Sequence, residues 1–422
     1  MNQSGFRKSR QTKDNLLSLI QNAQEGFCKE EKTITVFFDV AAAFDKVLHS
    51  GLIFKLISLG VPFYIVKIIA EFLKDRFFLV KCEGEKSILI KIECGVPQGG
   101  VLSPTLFSIY INDVPIAEGD DEISLLFADD IAYSARYGYK TKNKIDSSLK
   151  IRAQEKVQAY LNKLELWMCT WRLSLAPSKC AQITFSKAKD ISNDEMEITL
   201  YNEKIPSEIN PKFLGIFFDA RLNFSKHWEA IREKITDRLN LLKILSYDKN
   251  WRLNEDILIK MYKTLVRSVL DYACVTSVAA SNVVLKDFEV AQNDALRIIF
   301  KKSLLDKVKV EELRDRAGVQ SIFERHKILM ERYYERAIIS ENPLLKRLFD
   351  NYKKFKKRNF IDEKLAIKNG DTVCLETLSL IRSHNKLCLS KNEKYLTTLC
   401  GATKVVKDFI LDNYTVGGDG IT

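Results

Sequence analysis

Ile123-Ser-Leu-Leu-Phe127-Ala-Asp129-Asp130-Ile131-Ala-Tyr-Ser-Ala135 sets two apolar runs on either side of an Ala-Asp-Asp triplet. Runs of this length, rich in strand formers and parted by turn residues, predict one hairpin with acids at its tip. An Asp-Asp pair at a turn is ordinarily just solvated. A second acid changes the reading, because Thr33-Ile-Thr-Val-Phe-Phe-Asp39 is another β-branched and aromatic run that ends on Asp. Apolar approaches to each acid put Asp39, Asp129 and Asp130 at the rim of one sheet, where desolvated carboxylates repel unless a cation neutralises them. Oxygen-only ligands suit Mg²⁺. Two such ions about 4 Å apart would clamp the attacking and leaving oxygens of an in-line displacement, so the residues predict metal-dependent phosphoryl transfer.

Around these runs the pattern is mostly helical. Leu16, Ile20, Ala23 and Phe27 recur at helical spacing within Lys13 to Glu30. Ser50 to Leu59 predicts a short helix closed by Gly60, and Pro62 opens the next, which runs to Lys74. Phe77 to Cys82 and Ile88 to Cys94, joined by Glu83-Gly-Glu-Lys, predict a hairpin. Ser103 is expected to cap, and Pro104 to open, a helix through Asn112. Gln154 to Trp171 reads as helix, and Ala181 to Ser186 and Lys212 to Asp219 read as short strands. Beyond Asn223 the apolar stripe Phe224, Trp228, Ile231, Ile235, Leu239, Leu242 opens an all-helical stretch, with helices expected over Asn254 to Leu270, Leu285 to Lys301 and, behind a Ser321-x-x-Glu324 capping box, Ile322 to Ser340. The change of pattern near residue 222 predicts a domain boundary.

Composition narrows the chemistry. With 66 Lys+Arg against 55 Asp+Glu the net charge is +11, which invites a polyanionic partner. Only four His leave few players for His-ligated metals or His-based nucleophiles, so any metal chemistry should rest on carboxylates. Nine Cys without a Cys-x-x-Cys pair argue against a zinc-finger array or a disulfide framework, and for reduced thiols inside the cell. The longest weakly polar stretch, Leu56 to Val66, is too short to span a bilayer and holds Pro62, so no membrane partner is expected. Lys346 to Lys368 holds nine cations against three acids, with Phe349, Tyr352, Phe355 and Phe360 interleaved. Cations neutralise phosphates and aromatics stack on bases, which makes Lys353, Lys354, Lys356, Lys357 and Arg358 candidates for nucleic-acid contact. A solvated amphipathic helix and a nuclear-import signal are the other readings of that run. Cys374, His384, Cys388 and Cys400 are too irregularly spaced for a zinc knuckle.

Three segments in order sharpen this. Phe37-Phe-Asp39-x-x-x-Ala43-Phe44-Asp45-Lys-Val47, Gly95-Val-Pro-Gln98-Gly-x-x-x-Ser103-Pro104-x-Leu-Phe107 and Phe127-Ala-Asp129-Asp130 resemble the palm motifs of reverse transcriptases, most closely those of non-LTR (LINE-type, jockey-like) retrotransposons. Gly5-Phe-Arg7-Lys-x-Arg10-x-Thr12 upstream, Lys212-Phe-Leu-Gly215-Ile-x-x-Asp219 downstream, and the thumb-like Leu265 to Tyr272 and Gln292 to Ile299 extend the resemblance to about residue 300. It implies an α/β (α+β) palm in a right-hand polymerase fold: partial fingers and palm over 1–222, a helical thumb-like region over 223–302 and a helical basic region over 303–422. The implied activity is RNA-directed DNA synthesis, with an RNA template, a DNA primer and dNTPs as partners, at work in the cytoplasm and nucleus.

Carried over position by position, the resemblance makes Asp39, Asp129 and Asp130 the Mg²⁺ ligands. Phe44 becomes the gate against a 2′-hydroxyl, Gln98 with Gly99 the contact to the incoming nucleotide, and Lys179 the acid for departing pyrophosphate. Asp45 reads as a supporting acid rather than a further metal ligand. Met1 falls inside the fingers of this layout, so a 5′-truncated element copy or a gene-model fragment is expected, with no triphosphate clamp assigned to Arg7 and Arg10. Two rivals stand beside this reading. One is an RNA-dependent RNA polymerase, which tends to carry Asp where Phe44 stands. The other is a catalytically degenerate RNA-binding descendant.

Overall fold

The computed structural model describes residues 3–138, 147–187, 196–247, 253–277, 282–303, 305–340 and 342–346. The basic run with Lys353, Lys354, Lys356, Lys357 and Arg358, and Cys374, His384, Cys388 and Cys400, lie outside the described residues. The chain forms two compact units that divide between Leu222 and Asn223.

The first unit is built on a four-stranded antiparallel sheet of β1 (Glu31–Asp39), β2 (Glu122–Phe127), β3 (Asp130–Gly138) and β4 (Ala181–Phe185), in the order β2-β3-β1-β4. Both faces are covered, which is why these strands read as near-continuous apolar runs rather than alternating ones. On one face Ile34, Val36 and Phe38 join Val157, Tyr160, Leu161 and Leu164 of α5 (Ser147–Thr170) in the main core. That core also takes in α2 (His49–Ser58), α3 (Phe63–Leu73) and α4 (Ser103–Tyr110). The other face meets α1 (Thr12–Cys28) through a polar seam, where Ser134 Oγ receives bonds from Thr35 Oγ1 (2.8 Å) and Asn22 Nδ2 (3.0 Å). Phe37 shares that face and packs against Phe213 and Phe218. This is the mixed helix-and-sheet architecture expected of a palm.

Two buried cations are neutralised inside this unit. Arg136 on β3 reaches Glu25 of α1, with side chains 6% and 12% exposed, and also donates to Asn22 Oδ1 at 3.1 Å. Lys55 of α2 donates to the Tyr110 carbonyl and to Asp113, with its ammonium 3.6 Å from the centre of the Trp171 ring. Burial lowers the Lys55 ammonium to about 8 against the pull of Asp113.

The second unit is helical among its described residues. Its first helix, Ser225–Tyr247, buries Trp228, Ile231, Ile235 and Leu242, as the stripe predicts. Asn254 caps the next by accepting from Ile257 N at 2.9 Å, but the expected single helix over Asn254 to Leu270 is broken. A π-helical turn over Tyr262–Arg267 separates Glu255–Met261 from Ser268–Tyr272. The wider turn turns Tyr262, Val266 and Arg267 all inward, and Tyr262 Oη donates to Gln292 Oε1 at 2.7 Å. The capping box before Ile322–Ile339 forms as read.

Three local expectations are corrected. Lys212 to Asp219 is a tiny hairpin, Lys212–Phe213 paired with Ile216–Phe217, because Leu214 and Gly215 both take positive φ (+45° and +80°) and reverse the chain in two residues. The Phe77 hairpin likewise turns on Glu83-Gly84 alone, with Lys81–Cys82 paired to Glu85–Lys86. Ser103 is the first residue of α4 rather than its cap, since its hydroxyl is drawn back to the Pro97 carbonyl.

The Arg136–Glu25 pair gives a stability prediction. Glu25→Ala removes the nearer of two carboxylates beside the buried guanidinium, Glu31 Oε2 remaining 3.6 Å from Nε, and should lower the unfolding free energy of the first unit by about 2 kcal/mol, whereas Glu25→Leu with Arg136→Met should cost far less. Urea denaturation of the three chains decides it, and equal losses in both variants would refute the pairing argument.

Candidate active site

Asp39 is the last residue of β1 and Asp130 the first of β3, and the antiparallel register sets them directly opposite one another. Opposed residues of an antiparallel pair share a face with Cβ atoms about 5 Å apart. Asp129 lies in the two-residue turn, Ala128-Asp129, that links β2 to β3. The hairpin is therefore tighter than the sequence reading had it, with Asp130 inside the ladder and only Asp129 at the tip. Burial, then Asp129, then Asp39 push the Asp130 carboxyl up to about 6.

Lys179 joins this rim from the 3₁₀ turn Pro177–Lys179, its Nζ 3.5 Å from Asp39 Oδ2. The side chains are 69% and 44% exposed, so the pair adds little stability but keeps a proton donor beside Asp39. The backbone fixes that neighbourhood: Ala176 N donates to Asp39 O at 3.0 Å and Ala41 N to Ser174 O at 2.9 Å. Among the described residues no three His, Cys, Asp or Glu side chains close into a ready metal cluster. Three carboxylates nonetheless share one rim, and both burial and mutual repulsion disfavour the charged form of Asp130, a condition a divalent cation would relieve. The donor set, all oxygen, fits a hard ion.

Phe44 stacks on Phe107 of α4 with ring centres 4.6 Å apart, and Phe6 meets it edge-on at 6.2 Å. Gln98 lies on the exposed loop before α4, where its Nε2 donates to both carboxylate oxygens of Asp45 at 3.0 and 3.1 Å. Asp45 thus orients Gln98. The loop is pinned to the same segment by Gly95 N to Val47 O (2.8 Å) and Val96 N to Phe44 O (2.9 Å). Gly95 has to be glycine: its φ is +88° and a Cβ would lie 2.7 Å from the Asp45 carbonyl oxygen. Gly99, at φ +82°, has open space where a Cβ would stand. Asp39, Asp130 and Lys179 are thus brought together with Asp129 beside them, and Phe44, Gln98 and Asp45 form a second group around the segment that follows β1.

The sequence reading passed over Gln3. Its buried side chain bonds the backbone of Ala128 on both sides. The nearby Gly5 hints at a close approach, but nothing local names a partner 125 residues away.

Comparison with known proteins gives the following. Residues 1–218 match the family described as "Reverse transcriptase (RNA-dependent DNA polymerase)". The RNA-directed DNA polymerase from mobile element jockey of Drosophila funebris is 30% identical over 353 residues, covering 82% of this chain and 37% of that protein. A probable RNA-directed DNA polymerase from transposon BS of Drosophila melanogaster is 31% identical over 250 residues, covering 58% of this chain and 26% of that protein. The chain thus spans little more than a third of the length of the first relative and about a quarter of the second. Apo telomerase from Candida tropicalis gives a TM-score of 0.36 at 12% identity, covering 82% of this chain and 56% of that one, a likeness too slight to carry an argument.

The raised Asp130 carboxyl fixes the sign of a pH effect. Its folded value of about 6 stands above the ordinary 3.8, so the folded state holds the proton more tightly. In metal-free buffer the chain should then lose stability as pH rises from about 4 to about 6, by about 1 kcal/mol once the exposure of the residue is allowed for, and Asp130→Asn should remove that slope. Denaturation at several pH values with chelator present measures it; a variant with the same slope as the parent would refute the assignment.

Proposed function

The chain belongs to the reverse transcriptase (RNA-dependent DNA polymerase) family, and from that premise we propose that it is the polymerase portion of a LINE-type mobile element, copying an RNA template by adding dNTPs to the 3′-hydroxyl of a DNA primer. The observation that carries the reading is the register of β1 against β3, which opposes Asp39 to Asp130 with Asp129 in the adjoining turn. Divalent ions, Mg²⁺ in this reading, would be held by Asp39, Asp129 and Asp130, and would neutralise the triphosphate and lower the pKa of the primer hydroxyl.

The remaining roles follow from the neighbours of each side chain. Lys179, whose Nζ lies 3.5 Å from Asp39 Oδ2, would in this proposal give its proton to pyrophosphate as the bond to it breaks. Phe44 is stacked on Phe107, which in this proposal limits how far its ring could shift from an added 2′-hydroxyl. Gln98 has its amide nitrogen engaged by Asp45, which in this proposal leaves its carbonyl oxygen for the incoming nucleotide, and the open space at Gly99 would let that ligand approach the backbone. The basic run around Lys353 to Arg358 supplies phosphate contacts to the template in this proposal. Work in the cytoplasm and nucleus is part of the same proposal.

Two measurements test the reading. Asp39→Asn and Asp129→Asn should each abolish Mg²⁺-dependent extension of a DNA primer on RNA while leaving the metal-free fold at least as stable, since a repelling charge is removed. Extension retained in either variant sinks the assignment. Phe44→Val should raise ribonucleotide use relative to deoxyribonucleotide use by about tenfold or more, because a steric block rather than a hydrogen bond discriminates. The ratio of kcat/KM for the two sugars is the readout, and an unchanged ratio would make Phe44 a core residue only.

A further inference from the structure

Ala128, which precedes Asp129 in the turn between β2 and β3, has φ +55°, a left-handed backbone that a residue bearing a Cβ rarely adopts. Such a conformation persists where its surroundings over-determine it. Gln3 does so. Its side chain is 2% exposed; Nε2 donates to Ala128 O at 3.0 Å and Oε1 accepts from Ala128 N at 2.8 Å, so one amide engages the peptide groups on both sides of the strained Cα. The same Oε1 accepts from Gly5 N at 2.7 Å, and Ser4 N donates to Leu126 O at 2.9 Å. The Gln3–Gly5 segment runs so close to the turn that a Cβ on Gly5 would lie 2.4 Å from Ala128 N. Arg7 and Arg10 brace it from behind, each donating Nη1 to the Gln3 carbonyl at 3.4 and 2.9 Å.

We propose that Gln3 is a positioning residue for the acidic rim: by fixing the backbone of Ala128 it sets where the carboxylates of Asp129 and Asp130 stand relative to Asp39, and so how well the three hold a divalent cation. The proposal rests on the reading of those acids as a metal site. Gln3 touches neither metal nor substrate in this arrangement. It acts as outer partners of metal ligands do, by removing the freedom of the group that binds. Arg7 and Arg10 acquire a role in the same device, as anchors of the Gln3 backbone.

Binding of Mn²⁺ to the 422-residue chain, followed by electron paramagnetic resonance of the free ion, tests this without reliance on turnover. Gln3→Met keeps the bulk of the side chain and loses both polar contacts, and should weaken Mn²⁺ binding about tenfold. Amide exchange at Ala128 should quicken in the same variant, while the thermal transition of the unit stays cooperative. Gln3→Glu, which keeps the acceptor for Ala128 N and Gly5 N but loses the donor to Ala128 O, should fall between Gln3→Met and the parent in Ala128 exchange, and serves as the second variant should Gln3→Met fail to fold. Asp39→Asn is the control. If that control lowers Mn²⁺ affinity and a folded Gln3 variant leaves it within about twofold of the parent, outside the range seen for outer partners, Gln3 is structural only and the proposal falls alone. If Mn²⁺ binding by the parent is indifferent to Asp39→Asn, the metal reading of the rim fails and takes this proposal with it.

Discussion

Like charges forced to one edge of a sheet govern this molecule. Asp39 and Asp130 are opposed by strand register, with Asp129 in the next turn, and burial first, then Asp129 and Asp39, push the Asp130 carboxyl up to about 6. A carboxylate cluster of that kind costs stability in the absence of a cation, so every other element has to hold the edge in place against it. The sheet does so by being buried on both faces, which fixes register strongly, since a slip of one residue would carry the acid of either strand to the opposite face. The Arg136–Glu25 pair ties β3 to α1 away from the acidic edge, and Gln3 ties down the turn itself. Stability is thereby spent at the acidic edge and recovered in the core, the usual arrangement where chemistry requires groups that folding alone would keep apart.

How much of this was legible in the amino-acid sequence depends on the range of the interactions involved. The strands β1 to β4 and the helices of the first unit could be read because their signals are local: uninterrupted apolar runs, Gly60 after one helix, Pro62 before the next. The acids could be singled out because the runs end on them. Even so, the hairpin tip was read one residue too wide, since apolar content does not reveal whether Asp130 belongs to the ladder or to the turn. Two-residue turns at Leu214-Gly215 and Glu83-Gly84 were missed for a related reason, as Leu and Glu are not residues one expects at positive φ and only the following glycine hints at the reversal. The π turn at Tyr262 has no local signature, being the response of a helix to three inward-facing side chains. Gln3 illustrates the limit most plainly, because its partner lies across the fold and a glutamine among polar neighbours carries no mark of burial.

The pairing of Gln98 with Asp45 shows how the two groups of the site differ in kind. Around the rim, charges are held close in spite of their repulsion. Around the loop before α4, an acid and an amide are held together by attraction, and Gly95 permits the two backbones to touch. The first group is poised to be completed by something positively charged, the second is already satisfied and offers a shaped surface. In the proposed reading the first group carries the reaction and the second selects what enters it.

The ring column Phe6, Phe44 and Phe107 has an evolutionary consequence. Phe107 is fully buried and stacks on Phe44. Under the proposed reading its bulk decides how far Phe44 can recede, and hence how much space an entering sugar finds. Descendants of such a sequence could therefore drift in their preference for ribose or deoxyribose through exchanges in the hydrophobic interior, with the residues that face the substrate unaltered. Lineages compared only at the positions lining the site would show no cause for the change; the cause would be one layer deeper, in the volume of a side chain selected, to all appearances, for packing.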